Sequence, residues 1–346
     1  MRLIGTTAAG AAPRFLTLAV ALGLVLAACG GDDASPSGGG GTTGSGECDE
    51  SETVTIGFSA PAADHGWLGA VITGAEEEAA SHSDVEFRSA NGGTDADQQA
   101  NNIRTLAEQD LDAIAILPYD GAALTPVAQE LMDRGIPVVN IDREFASPTA
   151  FRTWIGGDNY GIGRSAGLFL REQLADLDEA IVVEIQGIAG ISVTDLRTQG
   201  FMDAIEGSNI NVVASQPGDF NADTGREVME TILQANEHID AVYTHDDDMA
   251  EGVVQAIENA GREDEMILTG AGGSANAMAA IEEGGIYAAT FLYNPIMAAS
   301  AVNLARLIAH GCGLSDLAES EVPQRVQLDA TTVTQENVSD YTQYGF

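Results

Sequence analysis

From Val54 onward, short runs of apolar and often β-branched residues alternate with longer stretches of helical period, a rhythm that admits few folds. Val54 to Ser59, Val85 to Arg88, Ala113 to Leu117 and Pro137 to Ile141 read as strands, and Leu68 to Ala80, Asp97 to Gln109 and Ala122 to Arg134 between them read as helices. The second half repeats the pattern, with strands at Ile181 to Ile185, Val212 to Ser215, Ala241 to Thr244, Met266 to Thr269 and Ala288 to Leu292, and helices such as Gly161 to Leu174 and Ala250 to Ala260. A strand that is apolar on both faces and followed by a helix belongs to a parallel sheet covered on both sides. Two consecutive sets imply an α/β chain of two doubly wound parallel-sheet lobes.

The stretch ahead of this rhythm has a different character. Arg2 and Arg14 flank a start rich in small residues, and Phe15 to Ala27 is an apolar run of 13 residues. That is short of the roughly 20 residues a helix needs to cross about 30 Å of hydrocarbon, and it fits the core of a signal peptide covering residues 1–28. The run ends in Leu26-Ala27-Ala28-Cys29, which resembles a bacterial lipobox, with Cys29 as the acylated residue; an ordinary secretory signal with an incidental cysteine is the alternative. Gly30 to Gly46 is mostly Gly, Ser, Thr, Asp and Ala, a composition that cannot bury enough apolar surface to order itself. Residues 29–52 are therefore expected to tether the folded part to the outer face of the cell membrane, the lipid being the only membrane attachment.

Charge narrows the partners. The chain carries 53 acidic and 14 basic side chains, a formal net charge of −39, and every basic residue is Arg. Phosphate backbones and acidic headgroups are bound by clustered cations, so nucleic acid and anionic lipid surfaces are poor partners. At 45% hydrophobic residues the chain buries a core, which excludes a disordered acidic protein.

In doubly wound sheets, ligands sit beyond the carboxyl ends of the strands. Those positions hold Asp64-His65-Gly66-Trp67, Asp142-Arg143, Gln186 to Gly190, Asp219-Phe220 and His245-Asp246-Asp247-Asp248. Carboxylates accept from hydroxyls, guanidinium donates in a fixed fork, and aromatic faces cover the C–H faces of a sugar ring, so this set suits a neutral polyhydroxylated ligand. The acidic run Asp246 to Asp248 stands at a helix start, where consecutive carboxylates serve the cap and dipole, so no metal site is expected.

In order, Ile136 to Arg143, Glu184 to Gly190, Arg197, Gly200-Phe201, Ala214 to Phe220 and Asp246 to Ala250 resemble the periplasmic ribose-binding protein family, and the resemblance runs from about Thr53 to the end of the chain. It implies a two-lobed sugar receptor of the type I periplasmic-binding fold that feeds an ABC importer through its permease, anchored as a lipoprotein in the manner of Gram-positive bacteria. It makes Asp142 and Arg143 a hydroxyl-binding pair, Arg197 and Asp246 hydrogen-bonding residues, and Phe220 and Trp67 stacking rings, with Leu68, His65, Asn159 and Tyr293 as further contacts. Where the family has a pair of Phe residues this chain has Trp67 and Leu68, and His65 stands in place of an Asn. Gly272 stands for a sugar-binding Asp and Tyr293 for a Gln. These departures put ribose in doubt and leave another pentose, a hexose or a polyol open.

The resemblance also implies a three-crossing hinge near Gly157-Asp158, Tyr293-Asn294 and Arg325-Val326. The lobes would then be residues 53–157 plus 294–325 and residues 158–293 plus 326–346. That topology puts Cys48 and Cys312 in the first lobe, leaving a disulfide or two free thiols open. The expectation is a monomer without cofactor. A sensor presenting a sugar or autoinducer to a membrane kinase or chemoreceptor would share the fold. A repressor would need a DNA-binding segment where the lipobox stands, and no nucleophile elbow or zinc-ligand spacing supports a hydrolase.

Overall fold

The computed structural model describes residues 51–313 and 321–346, so the signal segment, Cys29, the Gly-rich stretch and Cys48 lie outside the described residues. The first half runs β1 (Val54–Ala60), α1 (Gly66–Ser81), β2 (Val85–Asn91), α2 (Ala96–Leu106), β3 (Ala113–Ile116), α3 (Gly121–Asp133), β4 (Val138–Ile141) and β5 (Thr153–Gly157). The second continues with α4 (Asn159–Gln173), β6 (Ala180–Gln186), α5 (Ser192–Ile205), β7 (Ile210–Pro217), α6 (Ala222–Ala235), β8 (Ala241–Thr244), α7 (Asp247–Asn259), β9 (Ile267–Gly272), α8 (Ala275–Glu283) and β10 (Tyr287–Leu292). Then come α9 (Met297–Ala309), β11 (Arg325–Leu328) and β12 (Thr332–Thr334).

The strands form two six-stranded sheets, ordered β11-β5-β4-β3-β1-β2 and β12-β10-β9-β8-β6-β7. All pairings are parallel except that of β12 with β10. The period of two along β3 shows why each sheet is covered twice. Ala113 and Ala115 join the cluster under α1 and α9, while Ile114 and Ile116 join the cluster under α2 and α3. In the second sheet Ala241 and Tyr243 of β8 pack on one side and Val242 on the other, against α7.

The chain passes between sheets after β5, after β10 and between β11 and β12. The last crossing corrects the sequence reading. Arg325–Leu328 pairs with Trp154–Gly157 on the edge of the first sheet, so the crossing moves from Arg325-Val326 to residues 329–331. In both sheets, the direction in which successive strands are added reverses beside the first strand of the set, between β1 and β3 and between β6 and β8, while the strands stay parallel. The carboxyl ends of those strands deliver His65, Gly187 and His245 to the same region.

Cys312, just past α9, is disulfide-bonded. Among the described residues no helix is long and apolar enough to cross a membrane.

Candidate ligand-binding site

After β4 the backbone turns sharply, with Asp142 in the left-handed region at φ 60°. Buried Asn140 shapes this turn: its Nδ2 donates to the carbonyl of Arg143 at 3.1 Å, and its Oδ1 accepts from the amide of Phe145 at 2.9 Å. Trp154 Nε1 donates to the carbonyl of Asp142 at 2.9 Å. The turn thereby presents two adjacent opposite charges, both buried. Arg143 spends NH1 on the carbonyl of Tyr119 at 2.6 Å, whereas its Nε, 3.8 Å from Asp142 Oδ2, has no hydrogen-bond partner. A buried donor with no protein acceptor calls for one from a ligand or water.

The second lobe answers with Arg197 on α5. Its Nε donates to Asn159 Oδ1 at 3.0 Å, and its NH1 donates to the carbonyl of His245. Neighbouring Thr198 donates to Glu184 Oε1 at 2.8 Å, and His245 Nε2 meets the same oxygen at 3.0 Å, so β6, β8 and α5 are pinned around the guanidinium. Phe220 and Asp219 both have left-handed backbones, at φ 58° and 59°, which turn the Phe220 ring over Gly187. His65 stacks on that ring at 6.5 Å between centroids.

Tyr293, at the second crossing, links the two halves. Its hydroxyl donates to Asp142 Oδ1 and accepts from Asn159 Nδ2 at 3.1 Å, while its carbonyl accepts from Trp67 Nε1 at 2.8 Å. Its ring stacks on Trp67 at 5.5 Å and lies 4.7 Å from the Arg197 guanidinium carbon, a cation–π contact.

Between these groups is a cavity of about 30 Å³ lined by His65, Trp67, Asp142, Arg143, Val193, Arg197, Phe220, Asp246, Ala271, Gly272 and Tyr293. It has room for about two waters, so a sugar ring enters only if the lobes part. Eight of the ten sequence-derived contacts are on this wall. Asn159 stands behind it, bonded to Tyr293 and Arg197. Leu68 does not reach it. One residue beyond Trp67 on α1 is a rotation of about 100°, and that turns Leu68 into the core of the first lobe, where it is buried. Val193, at the start of α5, and Ala271, in β9, carried no sequence signal, being apolar.

The electrostatics follow from burial. Desolvation raises the Asp246 carboxyl to about 7, against the pull of His65, with Asp248 and Asp247 adding to the rise. Burial also raises Asp142, opposed by Arg143, Tyr293 and Arg197. For His65 burial works downward, but the bond its Nδ1 donates to Asp64 Oδ1 at 2.5 Å and the charges of Asp246, Asp64 and Asp248 outweigh it, and the net shift is upward. Among the described residues no group of His, Cys, Asp and Glu could hold a metal ion.

A family model described as a periplasmic binding protein domain matches residues 56–312. The chain belongs to this family. As a periplasmic binding protein it is similar to the galactofuranose-binding protein YtfQ of Escherichia coli (strain K12), at 35% identity over 63% of this chain and 70% of that one. It is also similar to the ribose import binding protein RbsB of Bacillus subtilis (strain 168), at 30% identity over 74% of this chain and 82% of that one. Among solved structures, a galactofuranose-binding protein superposes with a TM-score of 0.76 at 28% identity, covering 84% of this chain and 97% of the other. These are sugar-binding proteins and not enzymes, so a periplasmic binding protein with the same two-lobed architecture is read as a substrate receptor. Its fold is the type I arrangement expected from the sequence.

Proposed function

We propose that the protein is the extracellular, lipid-anchored receptor of an ABC importer, closing around a monosaccharide or polyol and delivering it to the permease. The observation that carries this reading is the cavity itself. His65, Trp67, Asp142 and Arg143 face it from the first lobe, Arg197, Phe220 and Asp246 from the second, and Tyr293 from the crossing between them. Only a ligand touching both lobes favours their closure. Two carboxylates, two guanidinium groups, an imidazole and three further aromatic rings match the hydroxyls and C–H faces of a sugar. Similarity to a ribose import protein supports transport over sensing.

Isothermal titration against D-ribose, D-galactose, L-arabinose, D-allose, D-fructose and myo-inositol tests the reading. Binding in the micromolar range, about −8 kcal/mol, is expected for at least one; no heat from any refutes it. In this reading Cys29 carries the lipid and Cys48 is the disulfide partner of Cys312, on a monomeric receptor. Intact mass of the unreduced, membrane-extracted protein checks both, through the acyl mass at Cys29 and the absence of free thiol.

A further inference from the structure

The three consecutive aspartates at the start of α7 send their carboxylates in three directions. Asp246 caps its own helix, its Oδ1 accepting from the amide of Met249 at 2.8 Å. Asp247 Oδ2 accepts from the amides of Gly273 and Ser274 at 2.6 and 2.8 Å, and its Oδ1 accepts from the hydroxyl of Tyr287 at 2.7 Å, which fixes the loop after β9. Asp248 leaves both its helix and its lobe, and its Oδ2 accepts from the amide of Trp67 at 3.2 Å.

Trp67 is the second residue of α1, and α1 has no cap of its own. The N-cap residue His65 makes no side-chain cap bond, its ring being turned to Asp64. By contrast α2, α3, α4, α6, α7 and α8 each begin with an Asp, Asn or Ser whose side chain accepts from the third helical amide. The first residue of α1 is Gly66. A Cβ there would lie 3.1 Å from both Asp248 carboxylate oxygens, so the missing side chain is what lets the carboxylate reach the helix end. Exposed amides at a helix N-terminus attract an anion through both hydrogen bonding and the macrodipole.

We propose that Asp248 is an inter-lobe latch: the second lobe supplies the N-terminal cap of the first lobe's α1, a bond made when the lobes close and lost when they part. This rests on the receptor reading above, and it makes Asp248 a positioning residue, since it touches no cavity atom and acts through the helix that carries Trp67. A contact present only in the closed state slows reopening and so holds a ligand longer.

Two readouts test it. In the first, amide hydrogen exchange at Trp67 is followed without sugar and with a saturating amount of the tightest binder from the titration panel. In the sugar-saturated protein Asp248→Ala is expected to speed that exchange about three- to tenfold, and Asp248→Asn, which keeps an acceptor oxygen, by less, with little change in the sugar-free protein. In the second, stopped-flow release of the same sugar should accelerate about three- to tenfold in Asp248→Ala with association little changed. Gly66→Ala alone should weaken retention, yet add nothing to Asp248→Ala, because the clash has lost its partner. Unchanged exchange at Trp67 in sugar-saturated Asp248→Ala, or effects of G66A and D248A that simply add, overturns the latch. If no sugar in the panel binds, the receptor reading has failed, and small-angle scattering of the sugar-free protein decides the latch: Asp248→Ala is expected to be more extended than wild type, and an unchanged profile overturns the latch.

Discussion

Gly187→Ala should disable the sugar site without touching a single polar group. Gly187 is buried at the end of β6, and a Cβ built on it would lie 2.0 Å from Phe220 Cζ and 2.2 Å from Cε1. Ordinary contact begins at 3.4 Å, so the ring tip must retreat by at least 3.4 − 2.0 = 1.4 Å. It has little freedom to do so, because Phe220 is packed with Ile191 and Val193 and its backbone is held at φ 58°. Overpacking of this kind costs about 1 to 3 kcal/mol. If the cost falls on the wall the sugar stacks against, affinity drops by about 5- to 150-fold at 1.4 kcal/mol per decade. Isothermal titration gives the affinity and thermal melting gives the stability. A second variant separates the two. Gly187→Ala with Phe220→Ala removes the clash, so it should regain melting temperature relative to Gly187→Ala while remaining a weak binder. Wild-type affinity in Gly187→Ala would refute the idea that Phe220 forms a fixed wall of the site.

Other outcomes follow from the same geometry. Sugar affinity should fall as pH rises from about 6 to about 8. The raised value of His65 means that its charged form is favoured in the closed site, a contribution present below the ordinary value of about 6.5 and lost as pH rises through the raised one. Asp246, at about 7, acts in the same sense, since its ionisation while buried opposes closure at higher pH. Titrations across this range with wild type and His65→Gln would show the dependence flattened in the variant, and affinity rising with pH would contradict the reasoning. Asn140→Ala should lower stability by about 1 to 3 kcal/mol, because the carbonyl of Arg143 and the amide of Phe145 lose their buried partner. It should weaken binding too, and calorimetric melting together with titration checks both. The melting temperature should climb from low to molar NaCl, since the excess acid includes exposed Glu76, Glu77, Glu172, Glu227, Glu258 and Glu282 on outer helix faces of a chain at −39.

The strands that the sequence shows most plainly are those buried on both faces. β3, β4 and β8 are wholly buried; β3 reads as an unbroken apolar run, and β4 and β8 as apolar runs carrying one polar residue each, Asn140 and Thr244. β5 is just as buried, but two of its five residues are glycines with no side chain to register as a pattern. Their reason is side-chain crowding: a Cβ on Gly156 would meet Trp154 Cζ2, on the same strand, at 2.3 Å, and one on Gly157 would meet Tyr293 Cε2, far along the chain, at 2.2 Å. β11 escapes for the opposite reason, being an edge strand of alternating exposure whose register is set by its pairing with β5. Placing the last crossing three or more residues early is the cost of missing it.

The site follows a similar division. The rule that ligands gather beyond strand ends finds Asp142, Arg143, Phe220 and Asp246, because topology alone carries those loops to one cavity. It cannot say where a carboxylate points. Asp246, Asp247 and Asp248 are identical in composition and adjacent in sequence, yet one lines the cavity, one ties down a loop and one reaches the other lobe. Backbone sign is equally hidden. Among the described residues, the non-glycine positions with positive φ are Asp110, Asp142, Asp219 and Phe220, and the last three shape the cavity wall. Left-handed backbone costs about 1 to 2 kcal/mol for a residue with a Cβ, so it persists where packing around it fixes the conformation. Here Asn140 and Trp154 hold the Asp142 turn, and Gly187 makes room for Phe220. Side chains that no one would assign to a ligand thus determine where the ligand-facing groups stand, and substitutions at Asn140 or Gly187 should alter recognition as much as changes to Asp142 or Phe220 themselves.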